Sequence, residues 1–130
     1  MAYKLLVVDD DKDIAEPLQR QLERKGYQVR VAFDGEEALQ KVSEDLPDVV
    51  LLDLIMPKRN GFEVLKEIRE KYKDKWIPVI IISAKTDLDS VKDSYNMEAD
   101  HYLIKPCSID NILKGITTMI SLIPLRKAQK

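Results

Sequence analysis

Apolar residues follow two alternating patterns along this chain. Short unbroken runs occur at Leu5-Leu6-Val7-Val8, Val49-Val50-Leu51-Leu52 and Val79-Ile80-Ile81-Ile82. Weaker ones lie at Gln28-Val29-Arg30-Val31-Ala32 and Tyr102-Leu103-Ile104. Four apolar residues without alternation suit a strand buried on both faces, the mark of a parallel sheet. Between the runs the spacing becomes helical. Ile14, Leu18 and Leu22 are four apart, as are Val64 with Ile68 and Ile112 with Ile116 and Ile120. Ala38, Leu39 and Val42 predict a shorter helix, and Leu88 to Tyr95 a weak one.

Helix punctuation agrees. Asp13 and Glu16 have the spacing of an acidic capping box, and Pro17 is expected in that first turn, where a missing N–H costs least. Gly26 stands where a helix end favours a left-handed residue, and Asn60-Gly61 caps the third helix. The last helical pattern fades near Ile123, where Pro124 is expected to stop it. The expected domain is therefore 1–123, with 124–130 a frayed tail or the start of a linker.

Strand starts near residues 4, 28, 49, 78 and 101 leave intervals of 24, 21, 29 and 23, each enough for one strand and one crossover helix. Five such units in series predict an α/β protein, a (βα)5 three-layer sandwich around a parallel five-stranded sheet.

Composition narrows the chemistry. The 130 residues are 45% apolar with 4 Gly and 6 Pro, which excludes disordered and fibrous classes. A net charge of −2 gives no electrostatic footprint for nucleic acid or an anionic membrane surface. One Cys and one His exclude a disulfide framework, a Cys-rich zinc site and a His-cluster metal site. No apolar run nears the ~18 residues of a membrane span, and the first residues lack a signal-peptide core. The chain is read as a small cytoplasmic domain.

Ligands of open α/β sheets bind where the strands end at their carboxyl side. Asp9, Asp10 and Asp11 follow the first apolar run, Asp53 the third, Ser83 the fourth, and Lys105-Pro106 the fifth. Any one of these could simply cap a helix. Asp11 and Asp13 fit that role. Asp53 does not, because Leu54-Ile55-Met56 follows and no helix begins before Asn60. Two carboxylates ~4 Å apart repel by roughly 4 kcal/mol at an effective dielectric near 20, so a group of three calls for a cation. Mg²⁺ suits such a site, since it takes few protein carboxylates and keeps waters and phosphate oxygens as its other ligands. A carboxylate can also be the nucleophile toward phosphorus.

These residues together resemble the receiver domain of two-component response regulators, of the chemotaxis-regulator kind. The resemblance spans nearly the whole chain. It rests on Val7-Val8-Asp9-Asp10, on Leu52-Asp53-Leu54-Ile55-Met56-Pro57 followed by Asn60-Gly61, on Ser83-Ala84, and on Ala99-Asp100-His101-Tyr102-Leu103-Ile104-Lys105-Pro106. It implies a flavodoxin-like fold with strand order 2-1-3-4-5. It further implies Asp53 as phosphoacceptor, with Mg²⁺ held by Asp10, Asp53 and the Ile55 backbone carbonyl, and by Asp9 through water. Lys105, beside a cis Lys105-Pro106 bond, would pair with the phosphoryl group. Ser83 and Tyr102 would be the switch pair, and Ala84 the small residue leaving access.

The implied activity is a phosphorylation-dependent switch, not a turnover enzyme, acting through self-phosphorylation and self-dephosphorylation and changing the α4-β5-α5 surface. The implied partners are a sensor histidine kinase or phosphotransfer protein, an unidentified downstream partner or effector, and a phosphorylation-dependent homodimer. With one His, the phosphodonor is expected on another protein. Ile55 and Lys85 would flank the path of a hydrolytic water, which predicts a long-lived phosphoryl group.

Three positions depart from the family pattern. Asn60 replaces an Asp but serves the same turn. Glu98 replaces a Gly, and a non-Gly residue resists positive φ, so a different backbone path is expected there. Cys107 replaces a Phe and is read as a small buried apolar residue. His101 is read as a solvated loop residue. The rival readings are a haloacid-dehalogenase-type phosphatase and a receiver-like module without phosphorylation. The first needs a second Asp two residues after the nucleophile, where Ile55 stands; Asp87-Leu88-Asp89 has the spacing but no preceding apolar run. The second is disfavoured by the intact Asp9, Asp10, Asp53, Ser83 and Lys105.

Overall fold

The computed structural model describes residues 2–56, 60–84 and 88–128, the side chains of 88 and 126–128 excepted. Its elements alternate strictly: β1 (Lys4–Val8), α1 (Lys12–Arg24), β2 (Gln28–Ala32), α2 (Gly35–Glu44), β3 (Val49–Leu52), α3 (Gly61–Lys71), β4 (Val79–Ser83), α4 (Leu88–Asn96), β5 (His101–Ile104) and α5 (Ile109–Ala128). All strand pairs are parallel and the order is β2-β1-β3-β4-β5. This is the flavodoxin-like arrangement, with its switch point between β1 and β3.

The unbroken apolar runs are buried along their lengths because helices cover both faces of the sheet. One core cluster joins Leu6, Val8, Val50, Leu52 and Ile81 to α2 and α3 through Ala38, Val42, Val64 and Ile68. The other joins Leu5, Val7, Leu51, Ile80 and Ile82 to α1 and α5 through Ala15, Leu18, Leu22, Ile112 and Ile116. Alternate residues of each strand thus feed opposite layers.

Several local expectations need correction. Of the two carboxylates expected to cap, Asp11 is the N-cap of α1, accepting the Asp13 N–H at 2.9 Å, and Asp13 lies within the first turn. The helix begins at Lys12, so Pro17 falls in its second turn. Ile14 is 40% exposed, and Ala15 takes its place on the buried stripe with Leu18 and Leu22. Pro124 does not stop α5, which continues to Ala128. A proline removes one N–H but leaves the donors of later residues intact. His101 opens β5 instead of preceding it, and lies half-buried with its ring against Gly115 of α5.

Other expectations match. Gly26 has φ +96° after α1, and the Asn60 side chain accepts the Glu63 N–H at 3.0 Å at the start of α3. Among the described residues, no helix is long and apolar enough to cross a membrane.

Candidate functional site

The sheet ladder extends one residue beyond β1, β3 and β5, and those residues carry the side chains of the site. Asp9 N–H donates to the Ala32 carbonyl at 3.1 Å, Asp53 N–H to the Val8 carbonyl at 3.0 Å, and Lys105 N–H to the Ser83 carbonyl at 2.9 Å. Each backbone is held by a neighbouring strand, while each side chain projects past the sheet edge. Because β1 lies directly beside β3, Asp9 and Asp10 come together with Asp53.

Lys105 Nζ stands 2.7 Å from Asp9 Oδ2 and 3.1 Å from Asp53 Oδ2, with all three side chains largely buried. The remaining oxygens are held by the backbone. Asp9 Oδ1 accepts the Asp11 N–H at 2.9 Å, and Asp53 Oδ1 accepts the Ile55 N–H at 3.2 Å. Both carboxylates are thus fixed in orientation before any ligand arrives. Asp10 is exposed, yet one of its oxygens lies within 4.8 Å of oxygens of Asp9 and Asp53.

Three carboxylates against one ammonium leave a surplus of negative charge. Burial pushes the Asp53 carboxyl above its usual range, although the Ile55 N–H and Lys105 pull it down; Asp9 adds to the rise. For Lys105, burial favours the neutral amine, but the hydrogen bond to Asp9 and the charges of Asp53 and Asp9 outweigh it and raise the pKa. The donor set is all oxygen, converges from two strands and carries surplus charge. These are properties that fit a small hard divalent cation such as Mg²⁺.

Ser83 is fully buried at the end of β4, paired with Ile104, the residue before Lys105. Tyr102 pairs with Ile81 across β4 and β5 and packs half-buried against the α2–α3 core. The Ile55 side chain is 54% exposed and Ala84 is exposed. Lys105-Pro106 is cis, as expected. Cys107 is half-buried against the α1–α5 core, and burial raises its thiol pKa. Pro57, Lys85 and Asp87 lie outside the described residues.

A family model for the response regulator receiver domain matches residues 5–117. The chain belongs to the response regulator receiver domain family. A CheY-like receiver domain protein from Methanospirillum hungatei JF-1 superposes with a TM-score of 0.91 at 25% identity, over 97% of this chain and 99% of that one. The receiver domain of Francisella response regulator 1452 is 35% identical, with a TM-score of 0.85 over 92% of this chain and 97% of that one. The BeF3-activated DrrB receiver domain is 29% identical, with a TM-score of 0.83 over 93% of this chain and 99% of that one.

Within this receiver domain, the loop before β5 makes a left-handed turn without glycine. Glu98 has φ +66°, contrary to the expectation of a different path. Its carbonyl accepts Arg69 Nε at 3.0 Å and Nη2 at 2.8 Å. Arg69 also bonds the Ile77 carbonyl at 2.7 Å and Asp100 Oδ2 at 2.8 Å, and Asp100 in turn accepts from Trp76 Nε1 and Val79 N–H. Sequence reasoning did not single out Arg69. It lies 29 positions from Glu98, and no local spacing links the two.

Proposed function

We propose that this receiver domain takes a phosphoryl group on Asp53 from a phosphohistidine of a histidine kinase or phosphotransfer protein. An Asp53 oxygen attacks phosphorus, the P–N bond to the imidazole breaks, and the leaving imidazole takes up a proton. The observation that carries this reading is the shared ammonium. Lys105 touches both Asp53 and Asp9, so it stands ready to pair with charge added at Asp53. Asp10, Asp53 and the Ile55 carbonyl, with Asp9 through water, would hold Mg²⁺. When bound, the ion would neutralise charge on the phosphoryl oxygens.

Phosphorylation replaces a carboxylate by a more highly charged group with three strong acceptor oxygens. The Ser83 hydroxyl would move toward those oxygens and Tyr102 would follow, biasing the surface of α4, β5 and α5 between two existing states. The similar DrrB receiver domain, described as BeF3-activated, supports a domain with two such states. The chemistry is confined to the domain's own Asp53, with no turnover of an outside substrate.

Incubation with acetyl phosphate and Mg²⁺, followed by intact mass measurement, tests the assignment. Wild type should gain one phosphoryl group and Asp53→Asn none. Labelling of Asp53→Asn to the wild-type extent would overturn it.

A further inference from the structure

A cavity of about 270 Å³ runs between α1 and α5, from the apolar core to the acidic edge of the sheet. Leu18, Ile82, Cys107 and Ile112 form its walls, and the exposed Ile14 and Pro106 mark its mouth. Asp9, Asp53 and Lys105 line its polar end. The space follows from the residues around it. Cys107 is short, and Pro17 presents a compact ring from α1. An apolar cavity of about 150 Å³ already suffices to bind a benzene-sized molecule, and ligand pockets begin near 300 Å³.

The charge at the polar end selects the ligand. Two carboxylates face one ammonium among the lining residues, and the Asp10 carboxylate lies close by. An anionic head group would meet net repulsion there. A cationic one would meet carboxylates whose orientation is already fixed by the Asp11 and Ile55 N–H groups. We infer that the α1–α5 cavity is a binding site for a small amphipathic cation, with its apolar body between Leu18 and Cys107 and its ammonium beside Asp9 and Asp53. Occupancy would put a cation against the carboxylates of the site described above. Binding to the unphosphorylated chain requires only the cavity and its carboxylates, not the phosphoryl transfer proposed above.

Phenylpropylamine is the probe, titrated into the isotopically labelled, metal-free chain and followed by amide chemical shifts. Saturable shifts are expected at Leu18, Cys107 and Ile112, with a dissociation constant on the order of 1 mM or tighter, as a ligand of this size allows. Phenylpropanol should bind at least tenfold more weakly, and phenylpropionate more weakly still. Cys107→Phe fills the cavity and should abolish the shifts. Ile14→Trp, at an exposed helix position that folding does not need, should weaken them by obstructing the mouth; a cooperative melt establishes that each variant is folded. No saturable shift at these residues, or binding unchanged in both folded variants, would overturn the site. Phenylpropionate binding as tightly as the amine would overturn its charge preference.

Discussion

Lys105 Nζ lies 3.1 Å from Asp53 Oδ2, although 52 residues separate them, and on its other side 2.7 Å from Asp9 Oδ2. One ammonium is therefore the shared counter-ion of two buried carboxylates. Removing one partner of a buried ion pair leaves the other charge uncompensated, which costs about 3 kcal/mol. Lys105→Ala should destabilise the metal-free domain by about that amount, and Asp53→Asn in the same background should recover part of it. A double-mutant cycle measured by denaturant unfolding in EDTA checks this. Additivity to within about 0.5 kcal/mol would mean that the two residues are not coupled.

The same pair sets the pH dependence. Burial holds the Asp53 carboxyl above its ordinary value of 3.8. A carboxyl that binds its proton more tightly in the folded state loses stability for the fold when it ionises. That loss is absent below the unfolded value and complete above the folded one. Asp53→Asn should thus melt above wild type at pH 7 in EDTA, with the gap closing as the pH falls toward about 4. Lys105 behaves in the opposite sense. Its pKa is raised above 10.5, so its contribution is fully present below that value and is lost as the pH rises through the folded one. Wild type should lose stability above pH 10.5 that Lys105→Ala lacks. A pH-independent gap between these proteins would contradict both assignments.

Gly61 opens α3 against the backbone that carries Asp53. Its N–H donates to the Leu54 carbonyl at 2.9 Å, and a Cβ there would collide with the Asp53 carbonyl oxygen and stand 2.7 Å from Leu54 Cα. The obstacles are backbone atoms, which cannot rotate away. Gly61→Ala should destabilise the domain by about 3 kcal/mol, the upper end for overpacking, and lower the rate of Asp53 phosphorylation by displacing its loop. Chemical unfolding and acetyl phosphate labelling measure the two effects. Unchanged stability would show that the loop yields freely.

Glu98 holds φ +66° as an exposed residue whose described bonds are made by its backbone, the N–H donating to the Tyr95 carbonyl and the carbonyl accepting from Arg69. The left-handed conformation costs a non-Gly residue about 1–2 kcal/mol, while glycine adds up to about 1 kcal/mol of unfolded-state entropy. Glu98→Gly should keep both Arg69 bonds and gain up to about 1 kcal/mol, a rise of a few degrees in Tm. Glu98→Val, with a branched side chain at the same φ, should lower Tm. If the glycine variant melts no higher than the valine variant, strain at this position is not the cause.

Much of this structure was legible because strand burial and strand-end chemistry leave strong local signals. Val49 to Leu52 suits a doubly covered strand, and Asp53 after it had no helix to cap. What escaped depended on tertiary geometry. Ile14 fits a four-residue spacing, but Ala15, one position round the helix, faces the sheet instead. Pro124 reads as a stop, yet only one helical bond is lost there and α5 continues. Glu98 argued for a changed loop because the Arg69 clamp that holds its carbonyl comes from a distant helix. That Lys105 shares the sheet edge with the carboxylates was legible from the strand ends, while its bonds to both Asp9 and Asp53 needed the structure.

Ile55 bears on how long a phosphoryl group on Asp53 would last. It lies two residues beyond Asp53 and is 54% exposed, and its side chain has no hydrogen-bonding atom. Hydrolysis requires a water aligned with the breaking bond to Asp53, and an apolar side chain cannot orient one. Ile55→Asn places an amide there that can donate to or accept from that water. One such oriented hydrogen bond is worth about 1 kcal/mol, so self-dephosphorylation should quicken by roughly five- to tenfold. The measurement is decay of the phosphorylated mass after removal of acetyl phosphate, with Mg²⁺ present. A half-life in Ile55→Asn equal to or longer than that of wild type would sink the idea that Ile55 protects the phosphoryl group.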